Sequence, residues 1–497
     1  MALMESFSGI RGIYGSELTN NVTEKYAIAY SNFIKNTLCE KKDICIVIGR
    51  DTRESGSILR DILIQNCNCK IIDVGVLPTA TIEFAVRYFK ADGGIIITAS
   101  HNEPQYNGFK LLDNYGAVLN PLHIGHIIDE IHKLNSLDIT KTENNSSNVQ
   151  NNFSSNTTNT QEHKSRINNT NSSLIISNKS HPIQDGFEEA LNAYCDFVEN
   201  LMTKNEIDYL IKNKIKIIID PNGGTGIISK KIFDKLGILA EYVNMSEGKF
   251  VRKIEPTKES LLPLVSHIKN HSANFAAGFD CDADRVELIL ENGDIVSGNH
   301  TLAIISKFIF SENNSDNKSP IIVVNDATSY VVKDALLEYD ATWIEVEVGE
   351  VNVVNEMLKL NACIGGEGSN GGIIIPPSRC RDGIITLIYL FKAMAKNKKT
   401  LFELLLELPK YYYLSKKINL KEDFVLQKNK LKNYYISNDF NILESGDNTG
   451  GLKALKNTSW VWFRQSKTED KVLRIFVDSK DENEANELIN NAINLVK

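Results

Sequence analysis

Short runs of β-branched and other apolar residues recur along this chain, and each stops at a loop of small, polar or charged residues. Ile44-Cys45-Ile46-Val47-Ile48 stops at Gly49-Arg50-Asp51, and Gly94-Ile95-Ile96-Ile97 stops at Thr98-Ala99-Ser100. Lys216-Ile217-Ile218-Ile219 runs into Asp220-Pro221-Asn222-Gly223-Gly224-Thr225-Gly226. Pro320-Ile321-Ile322-Val323-Val324, Thr342 to Val348 and Ala362-Cys363-Ile364 repeat the pattern. Runs this short, apolar at successive positions, read as strands covered on both faces of a mostly parallel sheet. Segments with helical spacing lie between them, among them Ser57 to Gln65 and Asp185 to Leu201. Strand–helix alternation predicts an α/β fold, and function in such sheets gathers at the carboxyl ends of the strands.

At 497 residues the chain exceeds one ordinary core and calls for three or four domains. The pattern predicts α/β units over 1–138, 183–296 and 297–408, with mixed, mostly parallel sheets, and a smaller α+β unit over 409–497 that closes with a helix from Glu482 to Val496. Residues 139–182 differ in kind. They are mostly Asn, Ser, Thr and Lys, with Leu174-Ile175-Ile176 as almost their whole apolar content. Such a stretch cannot offset chain entropy by burial, and it predicts a disordered surface insertion.

Several function classes are disfavoured at this level. A formal charge of −8 gives no electrostatic reason to expect nucleic acid as a partner. No apolar run reaches the roughly 20 residues that span a bilayer. The start, Met1-Ala2-Leu3-Met4-Glu5, lacks a basic segment followed by an apolar one, so no signal peptide is expected. The eight cysteines are scattered, and Cys67-Asn68-Cys69 has no second pair at zinc spacing. Cys45 and Cys363 sit in apolar runs as buried thiols do, which fits a reducing cytoplasm.

The acidic run Asp280-Cys281-Asp282-Ala283-Asp284-Arg285 is the strongest chemical signal. Its carboxylates at alternate positions point to one side of an extended segment. They repel one another unless a cation sits among them, and hard oxygen ligands select Mg²⁺ or a similar ion. A calcium loop would need glycine at its sixth place, where Arg285 stands. A solvated turn fits poorly with the apolar flanks Phe275 to Phe279 and Leu288 to Leu290. The strand ending in Thr98-Ala99-Ser100-His101-Asn102 delivers a hydroxyl to a loop, with no nucleophile-elbow glycines around it. Joined, the two motifs read as a phosphoryl group on Ser100 neutralised by a metal on the three aspartates. The Asp220 to Gly226 loop could present backbone N–H groups to an anion, but a tight strand-to-helix turn needing glycine is the simpler reading.

Thr98-Ala99-Ser100-His101-Asn102-Glu103-Pro104-Gln105-Tyr106-Asn107-Gly108-Phe109-Lys110, together with the D-x-D-x-D-R run, resembles the signatures of the α-D-phosphohexomutases. That resemblance implies three similar α/β domains and a smaller fourth around a central cleft. It implies a phosphorylated Ser100, and Mg²⁺ on Ser100, Asp280, Asp282 and Asp284. His101 and Lys110 become candidates for acid/base or electrostatic roles, with Arg285 stabilising charge. Arg11, in Ser8-Gly9-Ile10-Arg11-Gly12, resembles a substrate-contact element. Gly365-Gly366-Glu367-Gly368-Ser369-Asn370 resembles the family's sugar-binding G-E-x-S-G element at Glu367 and Ser369, with Asn370 in place of glycine, and Arg381-Asp382-Gly383 also matches. Arg464-Gln465-Ser466-Lys467-Thr468-Glu469 resembles its phosphate loop R-x-S-x-T-E, with Asp470 where relatives usually carry proline. Arg464, Ser466, Lys467 and Thr468 would then hold the substrate's phosphate.

The resemblance implies reversible phosphoryl transfer between the 6- and 1-positions of a hexose phosphate, through a phosphoserine enzyme and a 1,6-bisphosphate. Gly349-Glu350-Val351-Asn352-Val353-Val354 and the glycine-rich loop look closest to phosphoglucosamine mutases, whereas many phosphomannomutases and phosphoglucomutases carry histidine where Glu350 stands. Glucosamine phosphate is therefore the expected substrate, with glucose and mannose phosphates as the alternative. A metal-dependent sugar phosphatase, or a sugar-phosphate sensor without turnover, would use the same loops. Mg²⁺ is the expected cofactor and a small hexose phosphate the expected partner, with no nucleic acid or membrane. None of these features encodes an oligomeric state.

Overall fold

The computed structural model describes residues 3–6, 9–38, 43–133, 182–312, 319–369, 371–466 and 471–497. The expected Asn/Ser-rich insertion lies outside the described residues apart from its last position.

The first sheet contains β1 (Met4–Ser6), β2 (Gly9–Ile13), β3 (Cys45–Arg50), β4 (Lys70–Val76), β5 (Gly93–Ile97), β6 (Tyr106–Leu112) and β7 (Ile183–Asp185), in the order β1-β2-β6-β5-β3-β4-β7. Its centre, β5-β3-β4-β7, is parallel, and β6, β2 and β1 add antiparallel on one side. The second contains β8 (Lys216–Asp220), β9 (Leu239–Tyr242), β10 (Phe275–Phe279), β11 (Val286–Leu290) and β12 (Ile295–Val296), in the order β12-β11-β10-β8-β9. The third contains β13 (Ile321–Asn325), β14 (Thr342–Val346), β15 (Ile364–Gly366) and β16 (Ile373–Ile374), in the order β14-β13-β15-β16. Both have parallel centres with antiparallel strands on one edge. The last sheet, β17 (Tyr412–Asn419), β18 (Asn441–Glu444), β19 (Leu452–Lys456), β20 (Ser459–Gln465) and β21 (Val472–Ser479), is antiparallel throughout, in the order β17-β21-β20-β19-β18.

Alternation explains why the middles of the central strands are apolar at successive positions. In β3, Ile46 and Ile48 enter a core with β5 residues Ile95 and Ile97, while Val47 turns to the other face beside Ile96. In β8, Ile217 and Ile219 face one way and Ile218 the other; in β13, Ile322 and Val324 oppose Val323. One face of all three sheets feeds the same continuous core, and the other faces feed separate ones. Each such side chain contributes about 1.5–3 kcal/mol on burial. Three α/β units thus share an apolar interior, which fixes their loops relative to one another.

The fourth unit joins through an aromatic seam. Trp460 and Trp462 of β20 pack with Ala327 and Tyr330 of the third unit, while Val461 and Phe463 face the fourth unit's own core. Asp478 accepts Ser329 Oγ at 2.8 Å and the Tyr330 N–H at 2.7 Å, capping the helix Tyr330–Ala335 from the neighbouring unit.

Two expectations need correction. Residues Ile183–Asp185 form β7 on the edge of the first sheet, parallel to β4, so the chain returns to the first unit before building the second. The following helix is Phe187–Glu199, so Asp185 lies in the strand, where its Oδ1 accepts the Phe187 N–H at 3.1 Å. A three-residue strand is too short to leave a periodicity. The closing helix is Glu482–Val496, and among the described residues no helix is long and apolar enough to cross a membrane.

The β2–β6 pairing carries Arg11 opposite Gly108, two residues before Lys110. A Cβ at Gly108 would lie 1.9 Å from the Ile10 carbonyl oxygen, a contact no rotamer relieves. Gly108→Ala is expected to cost about 1–3 kcal/mol as the strands part. Chemical denaturation of the variant beside the parent chain checks this; an unchanged midpoint would refute the close approach.

Candidate active site and metal centre

Thr98-Ala99-Ser100 leaves β5 at its carboxyl end, as the α/β pattern requires. Ser100 adopts a left-handed backbone, φ 50°, that few L-residues tolerate. Its surroundings over-determine that conformation. The Ser100 N–H donates to Thr98 Oγ1 at 2.8 Å, and Thr98 in turn donates to Asp51 Oδ2 at 2.7 Å. Arg53, 1 % exposed, donates to the carbonyls of Ser100 (2.6 Å), Asn102 (2.7 Å) and Glu103 (3.0 Å), and its Nε pairs with Asp51 at 3.0 Å. A buried ion pair at the end of β3 therefore clamps the serine loop. Gly49-Arg50-Asp51 stands out in the sequence as a strand end and Arg53 does not, although the nearness of Asp51 and Arg53 after a buried strand is a signal for the pair.

The acidic run turns tightly between β10 and β11, with Ala283 also left-handed, φ 53°. The Asp220 to Gly226 loop props it from below. Thr225 donates its N–H to the Cys281 carbonyl at 2.8 Å, and a Cβ at Gly224 would lie 2.7 Å from that oxygen. Close backbone packing accounts for this glycine, in line with the simpler of its two readings. Asp280, Asp282 and Asp284 are buried, and each offers a carboxylate oxygen within 4.8 Å of the others'. Ser100 Oγ donates to Asp280 Oδ2 at 3.2 Å across 180 residues of sequence, so hydroxyl and triad share one site.

Cations from three units answer the triad. Lys110 Nζ of β6 donates to Asp282 Oδ2 at 3.1 Å and Asp284 Oδ2 at 2.9 Å. Arg381 reaches Asp284 (3.2 Å), Glu350 (3.0 Å) and Glu367 (3.0 Å) with three different nitrogens. Arg285 Nε lies 3.9 Å from Asp280 and 3.8 Å from Asp284. Burial, Asp284 and Asp282 push the Asp280 carboxyl well above the carboxylate range. Burial acts likewise on Asp284, but Arg381, Lys110 and Arg285 outweigh it and hold that group low. Burial would lower Lys110, yet Asp282 and Asp284 raise it above its ordinary value, the opposite of what a proton acceptor needs. Burial, Arg285 and Arg11 push His101 well below the usual imidazole range, and burial with Arg285 brings Arg11 down to about 10. Asp282 Oδ1 and Asp284 Oδ1 are buried with no hydrogen-bond partner. Orphaned carboxylate oxygens beside a serine hydroxyl fit a small, hard divalent cation.

Beside the triad lies a cleft to which all four units contribute. Arg11, His101 and Lys110 come from the first, Arg285 from the second, Glu350, Glu367, Ser369 and Arg381 from the third, and Arg464 and Ser466 from the fourth. The sequence-derived candidates Lys467 and Thr468 lie outside the described residues. Ser100 is 1 % exposed and is not among the lining residues, although its neighbour His101 is. Glu367 accepts from Gly349 N (2.8 Å), Asn325 Nδ2 (3.2 Å) and Arg381, and Ser369 Oγ accepts from Asn325 Nδ2 at 3.5 Å. Arg474 was missed; it stands opposite Arg464 in the β20–β21 pairing and lines the same cleft.

Three family models match the chain: phosphoglucomutase/phosphomannomutase, alpha/beta/alpha domain I at residues 5–138, domain II at 192–293 and domain III at 297–412. A phosphoglucomutase/phosphomannomutase of Thermococcus kodakarensis is 30% identical over 496 residues, covering 98% of this chain and 97% of that protein. A phosphoglucosamine mutase of Methanocaldococcus jannaschii is 27% identical, covering 98% of each. Among solved structures, a phosphoglucomutase/phosphomannomutase family protein from Burkholderia thailandensis superposes with a TM-score of 0.75 at 20% identity, covering 100% of this chain and 98% of that one.

The clamp on the serine loop predicts a local effect. A lysine at position 53 cannot donate to three carbonyls and a carboxylate at once. Arg53→Lys should speed amide exchange across residues 99–103 by about tenfold or more while the core strands keep their protection. Hydrogen-exchange mass spectrometry reads this, and equal protection in both proteins would remove Arg53 from the role.

Proposed function

The chain belongs to the phosphoglucomutase/phosphomannomutase family of phosphohexomutases, and from that premise we propose that it interconverts glucosamine 6-phosphate and glucosamine 1-phosphate. The observation that carries the mechanistic reading is the hydrogen bond from Ser100 Oγ to Asp280 Oδ2 at 3.2 Å, inside a buried carboxylate triad with orphaned oxygens.

In this reading Ser100 Oγ carries the phosphoryl group. Asp280, Asp282 and Asp284, with that phosphoryl group, would hold Mg²⁺, which would withdraw charge from the transferring oxygens. A sugar hydroxyl oxygen bonds to phosphorus as the Ser100 Oγ–P bond breaks. His101 lines the cleft with a buried, unpartnered Nδ1, so it is placed to take the hydroxyl proton. Lys110 and Arg285 hold negative charge that builds on the phosphoryl oxygens. Arg464 and Ser466, with Lys467 and Thr468 as their expected neighbours, hold the sugar's other phosphate. Arg11 and Arg381 border the sugar. The bisphosphate then reorients, and its second phosphate returns to Ser100.

Glucosamine is favoured over glucose and mannose by Glu350 and Glu367, two carboxylates that line the cleft beside its cations and apolar side chains and that also pair with Arg381. An ammonium group beside carboxylates gains what a hydroxyl does not. Relatives named for glucosamine and for glucose or mannose phosphates are almost equally similar, so the residues in the cleft carry this preference.

With Mg²⁺ and a trace of bisphosphate primer, coupled assays should give a higher kcat/KM for glucosamine 6-phosphate than for glucose or mannose 6-phosphate. Ser100→Ala should lose activity on the order of 10³-fold or more, and it should retain no label from radiolabelled hexose phosphate. Equal rates on all three sugars would sink the substrate assignment. Free inorganic phosphate with no isomer formed would make the chain a phosphatase.

A further inference from the structure

Arg464 is held from outside its own unit. Nη2 donates to Glu347 Oε1 at 2.6 Å, and Nη1 donates to the Val348 carbonyl at 3.2 Å. Both acceptors belong to the third unit, in the turn between β14 and the helix Glu350–Leu360. The guanidinium's Nε is buried and has no hydrogen-bond partner. The fourth unit closes on Glu347 from another side. Gly446 adopts φ +68°, and a Cβ there would lie 2.4 Å from Glu347 Oε2. The Glu347 side chain is only 17% exposed. A nearly buried carboxylate is thus paired with the guanidinium that the phosphate-binding reading places on the sugar's distal phosphate.

We propose that Glu347 acts as an internal competitor for Arg464, weakening the hold on phosphate so that ligand is released at a useful rate. The inference rests on the reading of Arg464 as a phosphate contact. A carboxylate on Nη2 cancels much of the charge that a dianionic phosphate would meet, and it adds like-charge repulsion. Nη1 and Nη2 each keep a second N–H and Arg464 lines the cleft, so phosphate can bind without expelling Glu347. Glu347 touches Arg464 and acts through it. The arrangement balances two needs of a phosphate clamp that must repeatedly let its ligand go: a geometry fixed by two acceptors, and an attraction held below its maximum.

The test separates charge from geometry. Glu347→Gln keeps an oxygen acceptor for Nη2 and removes the charge. Calorimetric titration with inorganic phosphate and with glucose 1,6-bisphosphate should show binding about three- to tenfold tighter than in the parent chain. KM for the hexose monophosphate should fall by a similar factor without a rise in kcat. Glu347→Asp retains the charge and should not tighten binding. Unchanged or weaker binding in Glu347→Gln would overturn the proposal, as would equal tightening in Glu347→Asp, which would assign the effect to a lost contact. Arg464→Ala run alongside tests the underlying reading. If it binds phosphate as the parent does, Arg464 is not the clamp; if it loses binding while Glu347→Gln changes nothing, only the competitor role fails.

Discussion

Three carboxylates buried within 4.8 Å of one another are the constraint around which this molecule is arranged. At an effective dielectric near 20, two like charges about 4 Å apart repel by about 4 kcal/mol. The chain answers with Lys110 from the first unit, Arg285 from the second and Arg381 from the third. Removing one member of such a buried network leaves unpaired charge and typically costs about 3–5 kcal/mol. The electrostatics of the triad are therefore also the joint between units. Arg381 shows this most directly, since one guanidinium binds Asp284 of the second unit together with Glu350 and Glu367 of its own.

Backbone strain is placed where this network can hold it. Ser100 and Ala283 both sit in the left-handed region, one on each side of the hydroxyl–carboxylate contact. Each such residue costs of order 1–3 kcal/mol and persists only when its surroundings dictate it. For Ser100 the surroundings are Arg53, Asp51 and Thr98. For Ala283 they are the Asp280 carbonyl that accepts its N–H at 3.3 Å and the Ala283 carbonyl's own contact with the Gly383 N–H at 3.1 Å. The Ser100 hydroxyl is thus held by the ends of β3 and β5 within one sheet, and the triad by the β10–β11 turn within another. The shared apolar core behind both sheets sets the distance between them.

What could be read before the fold was known follows from these energies. Strands such as β3, β8 and β13 were legible because both faces are buried, so their middle positions are apolar in succession. The acidic run and the serine loop were legible because such a concentration of charge, or of small polar residues after a strand, has few structural uses. β7 was hidden because three residues carry no period. Arg474 and Glu347 were hidden for a different reason. Each is an ordinary charged residue in its local sequence, and its role exists only through a partner on another strand or in another unit. The antiparallel fourth sheet was read only as mixed strand and helix, since the alternation of β20 is masked by burial on both faces, Trp460 and Trp462 on one side and Val461 and Phe463 on the other.

Average charge also concealed the site's character. The chain as a whole carries a formal −8, which by itself argues against binding anions. Yet among the described residues the cleft is lined by Arg11, Lys110, Arg285, Arg381, Arg464 and Arg474 against Glu350 and Glu367. A concave, low-dielectric wall focuses such a local surplus, so anionic ligands meet a positive field that the net charge does not describe. That surplus cannot all be available to ligand. Lys110 and Arg381 are already committed to the triad, and Arg464 is shared with Glu347. Arg11 spends one donor on Asn102 Oδ1 at 3.0 Å. The cleft thus gains its positive field from groups whose geometry is fixed by other acidic residues of the chain, and a phosphate entering it meets donors that are already oriented.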